Sequence, residues 1–216
     1  MADRKLKRDE QKTRRELELV FQASFKQETK SAGWGYLKPT PYKRIGEWFI
    51  TLHPMIWKDA EKAELWAMVK PFGIDDLVSR ILGFAGLDGE PLSLRARGPH
   101  CLVPPMFTTS IETHGDLGEM VDLAMKFEKM VADRVRTMTL DDFIVFSTDN
   151  RPPGKVSLNE AATLILAGRL DQAAALCESA VASKQWGGPA RATEAGQVIG
   201  FFELALAWLR NSARQK

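Results

Sequence analysis

Cysteine is scarce in this chain. There are two in 216 residues, Cys101 and Cys177, and neither sits in a CxxC or a Cys/His spacing. This excludes a disulfide framework, and both thiols, set in apolar context, are expected to be reduced and buried. Charge of one sign is lacking too: 30 basic and 28 acidic residues leave a net charge of +2. So even a balance excludes a grip on nucleic acid by the protein as a whole, which would need a local patch instead. No run approaches the roughly 18 apolar residues of a membrane span, and the opening MADRKLKRDEQKTRRELE alternates charges without an apolar signal region. A cytoplasmic protein with no membrane partner is expected. A glycine-rich phosphate loop, a nucleophile elbow and HExxH are all missing as well.

What is present is ordinary for a soluble domain: 44% hydrophobic and 27% charged residues, which argues against global disorder. From Asp3 to about Gln27 the residues are strong helix formers, with Leu17, Val20, Phe21 and Phe25 at helical spacing. The first sixteen residues hold seven basic and four acidic groups with almost no apolar surface, so this half is expected to project into solvent or fray.

The following SAGWGYLKPTPYKRIGEWFITLHPMIWK is interrupted by glycine and proline, then alternates with period two: Trp48, Ile50 and Leu52 on one side, Phe49, Thr51 and His53 on the other. With ELWAMVKPF it predicts a β-hairpin across the charged connection KDAEKA. GIDDLVSRILGFAG predicts a short helix capped by Asp75 or Asp76. PLSLRA and PMFTTSIET predict further strands on either side of the loop RGPHCLVP, for four or five strands in all.

Beyond Gly115 the pattern turns helical. Asp116 with Glu119 makes a capping-box-like start, and Leu117, Met120, Val121, Ala124, Phe127, Val131 and Val135 form a long apolar stripe. TLDDFIVFS starts another helix at Thr139, TDNRPPGK breaks the chain, and Ser157 with Glu160 opens a C-terminal helical segment. The expected fold is α+β: a small, mostly antiparallel sheet packed with the N-terminal helix and a long middle helix over 1–150, followed by a helical hairpin and a third helix over 151–216. The third helix is expected over Glu194–Arg210.

Within SLNEAATLILAGRLDQAAALCESAVAS, Ala161, Leu164, Gly168, Asp171, Ala173 and Ala180 resemble the helix–turn–helix of a tetratricopeptide repeat, with Cys177 where that family favours an aromatic residue. No second copy occurs at a period of about 34, and about three stacked units are needed for a solenoid. A single hairpin capping the sheet domain is the expectation. The order of a long helix, GWGY, YKRIGEWF and a sheet with a covering helix is similar to that of small bacterial α+β domain families of unknown function, some found among toxin-immunity proteins.

Candidate chemistry is sparse. Glu112, His114 and Asp116 in ETHGD could approach a metal, yet Asp116 serves better as a helix cap and no second histidine cluster completes a coordination sphere, so no metal and no cofactor is expected. His53 is expected to be a hydrogen-bonded sheet residue. His100 and its neighbour Cys101 point to opposite faces of an extended chain. The pairs Asp75-Asp76 and Asp141-Asp142 each begin an apolar helical run, where carboxylates suit the helix dipole.

Charge is unevenly spread. From 116 to 150 eight acidic residues face four basic ones, a net of −4, whereas the first thirty residues carry +3. The absence of a convergent polar constellation favours protein binding over catalysis, and the immunity-like resemblance implies a protein that masks a toxin. Asp116, Glu119, Asp122 and Asp133 are the expected contacts for a basic partner, with the aromatic segment of Trp34, Tyr36 and Tyr42 as a second surface. Two alternatives stand beside this reading. One is a metal-assisted enzyme acting on nucleic acid or nucleotides through Glu112, His114 and Asp116 with help from Arg95 and Arg97; the other is a scaffold using the C-terminal hairpin.

Overall fold

A computed structural model describes residues 2–56, 62–87, 89–96, 103–112 and 116–213. In chain order the elements are α1 (Ala2–Ser31), β1 (Gly35–Leu37), β2 (Thr40–Ile45), β3 (Trp48–Ile56), β4 (Lys62–Pro71), α2 (Ile74–Ile81), α3 (Leu92–Ala96), β5 (Phe107–Glu112), α4 (Leu117–Arg136), α5 (Leu140–Asp149), α6 (Leu158–Leu166), α7 (Leu170–Ala182), β6 (Ala190–Ala192), β7 (Val198–Gly200) and α8 (Phe201–Ala213). The fold is α+β, with a five-stranded sheet in the order β1-β2-β3-β4-β5 and a separate two-stranded hairpin, β6-β7. Among the described residues no helix is long and apolar enough to cross a membrane.

The chain forms two compact units, Met1–Val69 with Pro105–Thr137, and Lys70–Pro104 with Met138–Lys216. This division does not fall at 150. The chain leaves the first unit near the end of β4 and returns to it for β5 and α4, a route that local periodicity does not report.

In the first unit, α1 and α4 pack on each other and on the sheet. Helix α1 docks through Phe21, Phe25 and Thr29, spaced by four, all within 1% of full burial; each phenylalanine contributes about 1.5–3 kcal/mol by leaving water. Val20, expected on that stripe, is exposed and Leu17 is only half-buried. The helix stops where Gly33 takes φ +79, with Trp34 N–H donating to Thr29 O and Gly33 N–H to Lys30 O, a Schellman closure. Strands β1 and β2 arise from the Gly/Pro-interrupted segment that the alternation pattern missed. Gly35 pairs with Tyr42, and a Cβ at 35 would collide with the tyrosine ring. In β4 the alternation is clean: Ala63, Leu65, Ala67 and Val69 are fully buried, while Glu64, Trp66 and Met68 between them are half-exposed.

In the second unit, α2 packs against α6 and α8, α5 against α6, α6 against α7 and α7 against α8. The hairpin α6–α7 forms as expected. Ser157 caps it by accepting from Glu160 N–H, Gly168 at φ +72 closes the first helix, and Ala161, Ala173, Cys177 and Ala180 are fully buried where the helices approach. Three expectations need correction. PLSLRA is not a strand: Pro91 precedes the first turn of α3, where its missing N–H costs nothing. Asp75 and Asp76 are not caps; the cap position of α2 is Gly73. The third C-terminal helix starts at Phe201 rather than Glu194, because Gly196 at φ +77 turns the chain and Thr193 N–H donates to Gln197 O, making a hairpin of the preceding residues.

Candidate functional site

The long amphipathic helix α4 buries Met120, Ala124, Phe127, Val131 and Val135 and turns its remaining arc outward. Asp116 occupies its cap position with extended backbone, but its side chain makes no capping bond; only its carbonyl accepts, from Met120 N–H. The capping box expected of Asp116 and Glu119 is therefore absent, and both carboxylates face solvent together with Asp122. None of the three has an ion-pair partner among the described residues. Beside them, Ser24, Gln27 and Glu28 of α1 with Leu117, Gly118, Val121 and Asp122 line a cleft of about 280 Å³.

The second half of the same face carries the opposite charge. Lys126, Lys129, Met130, Asp133, Arg134 and Thr137 line a shallow cleft of about 470 Å³. Asp133 is held by the Arg136 guanidinium one turn on, which removes it from the acidic set. Glu128 is also withdrawn from solvent. Helix α4 thus contains four acidic and four basic residues and is polarised rather than acidic. The net −4 of the wider segment comes from Asp116 and from Asp141, Asp142 and Asp149 of α5, in the other unit. There Asp141 pairs with Arg169. Asp142 closes a capping box with Thr139, whose backbone and hydroxyl hydrogen bonds hold the carboxyl below its ordinary range.

The aromatic segment is mostly internal. Trp34 is 4% exposed, and its indole N–H donates to Glu128 Oε1 at 2.7 Å. Lys43 Nζ lies 5.6 Å from its ring centroid and Lys26 Nζ 4.9 Å from that of Tyr36. Tyr36 is half-buried, which pushes its phenol above its usual value. Tyr42 stacks on Phe49 with centroids 6.0 Å apart. These contacts correct the expectation of an aromatic docking surface at Trp34, and leave Tyr36 and Tyr42 only partly accessible.

Among the described residues, the groups weighed for catalysis do not converge. Glu112 is exposed and pairs with Lys62 at 3.5 Å, while His114 lies outside the described residues, as do Arg97, His100 and Cys101. Among the described residues no group of three or more His, Cys, Asp or Glu is placed to hold a metal. His53 Nε2 makes a 3.0 Å hydrogen bond with Thr51 Oγ1 in the sheet, and burial lowers its pKa. Cys177 is buried, and desolvation followed by the nearby Glu178 pushes its thiol up to about 12, far from a nucleophile's range.

Arg95, a proposed helper on nucleic acid, is 4% exposed: Nη2 donates to Leu87 O at 3.2 Å and the guanidinium lies over Phe72, 4.2 Å from the ring centroid. Its carbonyl accepts from Lys70 Nζ at 3.1 Å. Lys70 also donates to Asp75 Oδ1 at 2.8 Å and lies 2.6 Å from Oδ2, a contact without hydrogen-bond direction and so chiefly coulombic. Sequence reasoning missed both Trp34–Glu128 and this ionic cluster. A usable signal was Glu128 itself, which sits four residues beyond Ala124 and beside Phe127 on the arc that Val131 and Val135 continue. What the geometry leaves as a candidate site is the outward face of α4. Comparison with protein-family models, curated proteins and solved structures finds no match for this chain, so that face is interpreted by its own chemistry.

Proposed function

We propose that the chain is a non-catalytic protein-binding module, a cytoplasmic immunity protein that masks a basic toxin domain. The observation that carries this reading is the group of Asp116, Glu119 and Asp122, three exposed carboxylates on the first turns of α4 without ion-pair partners among the described residues. Such a group steers a basic surface toward the cleft beside Glu28 and Asp122 and acts mainly on the association rate. Asp133, already held by Arg136, contributes little to the capture.

The test is copurification of the full chain with the products of its flanking genes, followed by association kinetics at low salt and at about 0.5 M, where the Debye length falls to a few ångströms. Capture should slow with salt and with the double reversal Glu119→Lys/Asp122→Lys, while folding stability changes by no more than about 0.5 kcal/mol. Binding indifferent to both salt and the reversal would place the contact elsewhere. Absence of any complex would overturn the immunity reading.

A further inference from the structure

We infer that the outward face of α4 is self-complementary and pairs with the same helix of a second copy of this chain, antiparallel about a two-fold axis near its middle. This inference does not rest on the toxin-binding reading.

Two independent features of the face have centres within one residue of each other. The first is apolar: Leu123 is 46% exposed and Met130 40%, one heptad apart on the same stripe. The second is ionic: exposed Glu119 and Asp122 lie before the midpoint and exposed Lys129 and Arg134 after it. In an antiparallel pair turned about residues 126–127, Leu123 of one copy meets Met130 of the other and Glu119 meets Arg134, while Lys129 stands two residues, about 3 Å, out of register with Asp122, an offset its long side chain spans. Each contact recurs by symmetry, as an isologous interface requires.

The helix dipole accounts for carboxylates near the start of α4 and cations near its end. It does not account for two large apolar side chains left in solvent at equal distances from the same midpoint. Of these residues, Asp122, Lys129, Met130 and Arg134 line the two clefts described above, and Glu119 and Leu123 line neither.

Lys126 falls at the axis and meets its own copy. That like-charge contact opposes the pairing and keeps the association weak and reversible. The acidic half of the face is also the half offered to a basic partner, so the second copy and such a partner compete for Glu119 and Asp122.

The test needs only the full chain, which separates its failure from that of the toxin-binding reading. Sedimentation equilibrium at low salt should show a concentration-dependent dimer that dissociates at about 0.5 M salt. Glu119→Lys/Asp122→Lys and Lys129→Glu/Arg134→Glu should each weaken self-association by at least about tenfold, since four attractive cross-pairs become repulsive. Mixing the two variants in equal amounts should restore a one-to-one heterodimer, and Lys126→Leu should tighten the wild-type dimer. Circular dichroism confirms that each variant is folded. A wild-type chain that stays monomeric up to about 1 mM, or a dimer that survives both reversals, overturns the inference, as does a failure of mixing to restore pairing.

Discussion

The indole N–H of Trp34 and the carboxylate of Glu128, ninety-four positions apart in sequence, meet at 2.7 Å in the first unit, where each side chain is more than nine-tenths buried. The bond ties the turn after α1 to the middle of α4. It makes Glu128 a structural acceptor rather than part of the helix's charged face.

Glu128→Ala leaves the buried indole donor without an acceptor and should lower stability by about 1–3 kcal/mol. Glu128→Gln retains a carbonyl that can accept and should cost less than half as much. Urea unfolding of the two variants checks this; equal losses would show that the side chain contributes volume alone.

The Lys70–Asp75 pair lies in the second unit with both side chains under 10% exposed. Asp75→Ala removes a carboxylate that meets Lys70 Nζ through both oxygens, and should cost about 3–5 kcal/mol, the scale of breaking a buried ion pair. Replacing both partners, Lys70→Met with Asp75→Leu, should recover most of that loss, because no buried charge is then left behind. Thermal unfolding measures it. A double variant as unstable as Asp75→Ala would place the cost in packing instead of charge.

His53 gives the fold a pH dependence of definite sign. Burial lowers its folded pKa below the unfolded value, about 6.5, so between those two values the unfolded chain binds more proton. The stabilising contribution is complete above about 6.5 and declines as pH falls through the window beneath it. Urea midpoints measured from about pH 8 to pH 5 should drop on the acidic side, and His53→Gln should flatten that part of the profile. An unchanged slope in the variant would assign the dependence to other groups.

Legibility in the sequence followed the range of the interactions. The α6–α7 hairpin was readable because Ser157, Gly168 and the small residues between them act within a turn or two of their own positions. The stripe of α4 was readable because burial repeats every three to four residues. Strands β1 and β2 were not, because Gly35 and Pro41 have poor strand character alone and are held by cross-strand partners, Tyr42 covering the glycine. The charge count over 116–150 was correct arithmetic but the wrong physical unit. It joined a polarised helix to α5, where Asp141 and Asp142 are already engaged by Arg169 and Thr139.

By itself, the sequence determined the α+β class, the long helices and most of their buried faces, since helix and strand periods are written into residues a few positions apart. Tertiary structure decided which charges are available. Glu128, Lys70, Asp75 and Arg95 look like solvent-facing groups in a linear reading, and each is buried beside a polar partner: Trp34 meets Glu128 across 94 positions and the Arg95 carbonyl meets Lys70 across 25, and Lys70 in turn holds Asp75. An ionisable side chain enters the interior only where another polar group meets it, and that meeting depends on how the chain folds back on itself.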